Sequence, residues 1–279
     1  MSDRDPVARR AARPRHYLMC PPTYFEVTYS INPWMDPDRP VDVVRAMAQW
    51  QWLLDTFLEL GHKVDLADPV PGLPDMVFTA NAATVVDGRV LVAHFRNRER
   101  TAETPAFLEW FRSHGHPQAR VAAEINEGEG DFLVTRSRIL AGRGMRSAQS
   151  AHREAEEFLG REVVGLDLVD PRFYHLDTAL AVLDDEADEI MYYPPAFSAP
   201  SRARLAELYP DAILADEADA MTFGLNAVSD GRNVVLPAAA AGLATRLRER
   251  GFRPVGVDMS ELLKAGGGAK CCSLEIREA

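Results

Sequence analysis

Phe78-Thr79-Ala80-Asn81-Ala82-Ala83-Thr84-Val85-Val86-Asp87-Gly88 is an apolar strand pattern closed by a hairpin turn signal, and the order of elements it opens recurs down the chain. Residues 89–95 read as the return strand, 104–114 as a helix and 120–123 as a third strand. From Asp131 the order repeats, with strands at 132–136 and 138–142, a helix at 147–159 and a strand at 162–168. It repeats from Asp177, with strand 178–183, the acidic turn Asp184-Asp185-Glu186, strand 189–193, helix 199–208 and strand 212–216. A fourth copy starts at Asn226, with strand 227–229, turn Asp230-Gly231, strand 233–236, helix 241–250 and strand 254–257.

The fifth copy is split between the two ends of the sequence. Residues 272–276 supply its first strand, and 16–20, 40–60 and 62–66 supply the second strand, the helix and the third strand. In that helix Val44, Met47, Ala48, Leu54, Phe57 and Leu58 recur at helical spacing, and Gly61 stops it. Asn81, Asp131, Asp177, Asn226 and Cys271 lie roughly 45–50 residues apart, a period that signals a repeat architecture. The expected fold is α/β, a five-bladed pseudo-symmetric propeller of strand–strand–helix–strand units, with the polar strand starts converging on one cavity. An open sheet in two domains is the structural alternative.

Composition narrows the function. With 279 residues the chain can bury a sizeable core, and no apolar run is long enough to span a membrane. The net charge of −11 argues against a duplex nucleic-acid partner, which needs Lys/Arg contacts to phosphate. Residues 1–15 carry five arginines without an apolar core and read as a disordered basic tail, leaving one catalytic domain over 16–279. Asp3 and Asp5 count against a mitochondrial presequence. Cys20, Cys271 and Cys272 make no disulfide framework, which points to a reducing, cytoplasmic setting. The oligomeric state, a homo-oligomer included, stays open.

Gly266-Gly267-Gly268-Ala269-Lys270-Cys271-Cys272 delivers a thiol where the fifth strand begins. A cysteine held after a glycine run is a candidate nucleophile, and the alternative is a buried thiol acting as a small hydrophobe. Asn126-Glu127-Gly128-Glu129-Gly130-Asp131 sets carboxylates immediately before an apolar strand. His175-Leu176-Asp177, if extended, points an imidazole and a carboxylate the same way. A thiolate with a histidine to move protons can attack an electron-poor carbon, and the carboxylates suit a planar cation such as guanidinium. A metal on His175, Asp177 and Glu127 is the competing reading, but no histidine pair has ligand spacing.

Phe78-Thr79-Ala80-Asn81, Glu127-Gly128-x-Gly130-Asp131, His175-Leu176-Asp177 and Gly266-Gly267-Gly268-x-x-Cys271-x-Ser273 together resemble the guanidine-modifying (amidinotransferase, or pentein) superfamily, from about residue 16 to the end. The resemblance implies a cofactor-free hydrolase with Cys271 as nucleophile, His175 as general acid/base, and Glu127 and Asp177 as guanidinium ligands. It selects Cys271 over Cys272 by the distance from the last glycine. Deiminases and dimethylargininases carry an aspartate where this chain has Asn81, and the stretch around Asn81 is instead similar to dihydrolases. The opening Met19-Cys20-Pro21-Pro22 and Tyr29-x-Ile31-Asn32-Pro33-Trp34-Met35 resembles the hydrolase domain of arginine dihydrolase. That likeness implies that Asn32 and an arginine of the 96–100 segment, Arg100 by preference, hold the amino-acid end of the substrate.

An amide at 81 both donates and accepts, so it suits a neutral ureido group as well as a cation. The expected substrate is therefore a small guanidine, with arginine going to ornithine, carbon dioxide and two ammonia. Dimethylarginine or arginine going to citrulline is the nearest rival. A binding protein on the same five-fold ring, without this catalytic set, is the rival of a different class.

Overall fold

The computed structural model describes residues 10–278. In chain order, β1 (His16–Met19), α1 (Val43–Glu59) and β2 (Lys63–Leu66) come first. Next are β3 (Ala83–Val86), β4 (Arg89–Val92), α2 (Glu103–Ser113) and β5 (Arg120–Val121), then β6 (Phe132–Val134), β7 (Arg138–Arg143), α3 (Gln149–Leu159) and β8 (Glu162–Asp167). The third unit is β9 (Leu180–Asp184), β10 (Glu189–Tyr192), α4 (Ala199–Leu208) and β11 (Ile213–Leu214), after which comes a short helix, α5 (Glu217–Met221). The chain ends through β12 (Val228–Ser229), β13 (Asn233–Pro237), α6 (Ala241–Glu249), β14 (Arg253–Val257) and β15 (Leu274–Glu275).

These strands form five three-stranded sheets, one per repeat, with β15-β1-β2 as the split one. In every sheet the first strand pairs antiparallel with the second and the second parallel with the third. A parallel pair needs a crossover, and each blade's helix provides it. In α1 the Asp42 side chain caps the first turn by accepting from Arg45 N–H, while Ala46, Trp50, Leu53, Leu54 and Phe57 bury one face. Central strand β4 buries Val90, Leu91 and Val92, so packing holds it on both faces. First strands meet around the axis: β15 lies against β3, and β9 against β6 and β12. No helix among the described residues is long and apolar enough to cross a membrane.

Three expectations change. The first strands of the first and third copies start later than the apolar pattern suggests, at Ala83 and Leu180, because Thr79–Asn81 and Leu176–Thr178 are single 3-10 turns. Gly128–Gly130 is such a turn too, but there the strand starts at Phe132 as expected. Asn81 and Asp177 sit inside such turns, so His175 is extended while Asp177 is not, and period-two alternation does not relate them. The basic tail expected over 1–15 is pinned from Arg10 onward. Arg10 pairs with Glu189, Arg13 with Asp184, and Arg15 with Asp185 of the acidic turn. Residues 1–9 of that expected tail lie outside the described residues.

Candidate active site

The 3-10 turns explain how the site is assembled. Each one lifts a polar residue out of the strand direction just before the first strand, and neighbouring turns pack on one another. Ala80 N–H donates to Cys271 O at 3.0 Å, which ties the Asn81 turn to the cysteine loop. The Asp131 carboxylate accepts from Ser147 Oγ at 2.6 Å and from Leu176 N–H at 3.1 Å, joining the second turn to the third. Asp131 is therefore a tie between blades, while its neighbours face the cavity.

Five of the seven sequence-selected residues meet there. His175 Nε2 lies 2.7 Å from Glu127 Oε2, and the thiol of Cys271 lies 3.4 Å from Asp177 Oδ2. Gly130 leaves the space in which Asn81 and His175 face each other, since a Cβ there would fall 2.3 Å from Asn81 Nδ2 and 3.2 Å from the imidazole. All five are buried. Four buried polar atoms nearby have no protein partner: Asn81 Nδ2, His175 Nδ1, Asp177 Oδ1 and Asp75 Oδ1. Single unpartnered atoms occur elsewhere in the interior, but here four gather around one buried thiol and imidazole, which suits a polar ligand.

The remaining two sit at the edge of this group and are engaged elsewhere. Arg100 is 3% exposed and grips Glu103 through Nε and Nη2, while its Nη1 donates to Asn81 Oδ1 at 2.6 Å. It thus orients the amide, holding the oxygen and leaving the NH2 unpartnered beside Gly130 and His175. Asn32 donates to Ala265 O and accepts from Trp34 N–H, which docks the 31–34 loop on the glycine loop. Sequence reasoning missed Arg146, whose Nη1 holds Glu127 at 2.7 Å and whose Nη2 donates to Ile31 O. The repeat could have found it, because Arg146 lies between second strand and helix just as the 96–100 segment does in the copy before. Asp75 and Tyr174 also line the group and carried no local motif, while Asn226, a repeat position, joins it at the Cys271 sulfur.

Electrostatics separate the two carboxylates. Burial opposes charge on Glu127, but Arg146 and the hydrogen bond from His175 outweigh it and hold the carboxyl well below the usual range. Burial dominates at Asp177 and lifts it to about 6, with His175 and Lys270 offsetting part of the cost. Cys271 is pushed well above the ordinary thiol range by burial and by Asp177, so the resting sulfur carries its proton. A cation bound between these carboxylates would reverse that balance. The arrangement can hold a planar cation, present sulfur to its carbon, and exchange protons through the free imidazole nitrogen.

No family model matches the chain. It is 56% identical over 269 residues to a Mycobacterium tuberculosis protein named N(G),N(G)-dimethylarginine dimethylaminohydrolase, covering 96% of this chain and 88% of that one. It is 39% identical to the bifunctional arginine dihydrolase/ornithine cyclodeaminase ArgZ of Synechocystis, of whose length it spans 37%. The solved N-terminal domain of a cyanobacterial ArgZ, a cysteine-to-serine mutant bound to substrate, superposes with a TM-score of 0.89 at 38% identity, covering 95% of this chain and 98% of that one.

Proposed function

The chain belongs to the guanidine-modifying superfamily, in the group that holds dimethylarginine dimethylaminohydrolase and the arginine dihydrolases, and from that premise we propose that it is a cysteine hydrolase that takes arginine through two rounds to ornithine. The guanidinium enters between Glu127 and Asp177, its positive charge stabilises the thiolate of Cys271, and the thiol proton passes to His175. Sulfur attacks the guanidinium carbon, His175 protonates the departing nitrogen, and ammonia leaves behind a thiouronium on sulfur. Water deprotonated by His175 adds to that carbon, the C–S bond breaks, and citrulline remains in the cavity.

The observation that carries the second round is the orientation of Asn81. Its oxygen is occupied by Arg100, so the cavity meets a donor at the position where the deiminases have an acceptor. A donor gains nothing from a cation but hydrogen-bonds the carbonyl oxygen of a ureido group. Held there, the ureido carbon meets Cys271 again, a second ammonia leaves, and water releases a carbamate that decomposes to ornithine and carbon dioxide. Two waters enter in all, and two ammonia and one carbon dioxide depart. Arg146, beside Asn32 and the Ile31 carbonyl, is the cation we assign to the amino-acid carboxylate, with Asn32 fixing the loop that presents it. The three free, buried thiols suit a reducing compartment such as the cytosol.

A second reading is favoured by the 56% identity to the mycobacterial protein: dimethylarginine hydrolysed once, to citrulline and dimethylamine. Incubation with L-arginine and with dimethylarginine, followed by quantitation of ornithine, citrulline, ammonia and dimethylamine, separates the two. Ornithine from arginine is the expected result. Citrulline with dimethylamine, and no ornithine from arginine, establishes the second reading. No turnover of either returns the chain to a binding role.

A further inference from the structure

Asn226 opens the fourth copy of the repeat, at the position Asn81, Asp131 and Asp177 hold in the first three and Cys271 holds in the fifth. No step above uses it. The residue is fully buried, and its side-chain amide is fixed at both ends. Oδ1 accepts the backbone N–H of Cys271 at 3.1 Å, while Nδ2 lies 3.2 Å from Asp177 O and 3.1 Å from Cys271 Sγ. Flipping the amide would set acceptor against the carbonyl and donor against the N–H, so its orientation follows from the backbone groups it meets. Gly268 is required for this fit, because a Cβ there would stand 2.8 Å from Asn226 Oδ1.

We propose that Asn226 is a catalytic residue: its Nδ2–H donates to the sulfur of Cys271 and stabilises the thiolate. The other side-chain group within reach of that sulfur among the described residues is Asp177, which accepts the thiol proton and repels the thiolate. A neutral thiol is a weak acceptor and a thiolate a strong one, so the same N–H bond strengthens as the proton leaves. It acts twice in each round. Before attack it steadies the electron pair that will form the S–C bond. When that bond breaks, the pair returns to sulfur and the N–H steadies the departing thiolate.

The proposal rests on Cys271 being the nucleophile, and its test separates failure of one from failure of the other. Alkylation by iodoacetamide needs no substrate and reads the thiolate directly. In Asn226→Asp, which keeps the acceptor for Cys271 N–H and removes the donor, the midpoint of the pH–inactivation curve should rise by about one unit or more. Turnover should fall roughly tenfold to a hundredfold with KM little changed, the effect of losing a hydrogen bond to a charged atom. Asn226→Ala should shift the curve the same way. A lowered melting temperature with an unmoved curve would make Asn226 structural and overturn the proposal. Should neither variant fold, the side-chain amide resonance of Asn226 in the unsubstituted protein must titrate at the same pH as the alkylation, and a pH-independent resonance also overturns it. Alkylation found by mass spectrometry at another cysteine, with Cys271 unmodified, would instead remove the nucleophile assignment.

Discussion

Glu127 and Glu129 stand two residues apart at one 3-10 turn and are equally buried, yet they do opposite work. Glu127 turns to Arg146 and His175, in a cluster where Asn81, His175, Asp177 and Asp75 each keep an unpartnered atom. Glu129 turns into the ring, where it binds Lys270 at 2.7 Å, the backbone N–H of Glu275 at 3.1 Å, and the guanidinium of Arg277. Lys270 and Arg277 flank β15, so Glu129 clamps both ends of the strand that follows the nucleophile. Burial alone does not mark a site. The surroundings differ: unpartnered polar atoms gather around Glu127, whereas both oxygens of Glu129 are engaged by the strand it holds.

The largest way to break this comparison is to unsaturate the interior. Glu129→Gln leaves the half-buried Lys270 and Arg277 facing a fully buried neutral amide, and the expected cost is roughly 3–5 kcal/mol in urea unfolding. A cost below about 1 kcal/mol would mean that the cluster is not a clamp.

The site should respond with the other sign. Burial raises Asp177 from its ordinary 3.8 to about 6, so between those values the native state holds a proton that the unfolded chain releases. Stability therefore falls as pH rises through that window, by about 3 kcal/mol in full. Asp177→Asn has no such titration and should exceed the unsubstituted protein by up to that amount above pH 6, while losing turnover. Urea titrations at pH 4 and pH 7.5 measure it, and a difference independent of pH would contradict the assignment.

The strand–strand–helix–strand order and the five equivalent positions were legible because each blade carries its own apolar periodicity and turn signal. Cys271, His175, Glu127, Asp177 and Asn81 were legible because they fall at those positions or beside them. The 3-10 turns were not, since Thr79-Ala80-Asn81 and Leu176-Asp177-Thr178 carry no glycine or proline to set them apart from the strands they precede. Arg146 was passed over because its role lies in a contact to a residue 19 positions away, whereas Asn226 was legible as a repeat position and only its contact to Cys271, 45 positions on, was out of view. The engagement of Arg100 by Glu103, one helical turn further on, was not announced by the 96–100 segment itself. The arginines at 10, 13 and 15 read as a tail because their acidic partners lie some 170 residues or more along the chain.

The measurement that bears most directly on the account is the stoichiometry of Asn81→Asp with L-arginine, counted as ammonia and ornithine per arginine consumed. Turning the donor at 81 back into an acceptor should leave the first round running and stop the second, giving one ammonia and accumulating citrulline where the unsubstituted protein gives two and ornithine. Ornithine in full yield from the variant would contradict it.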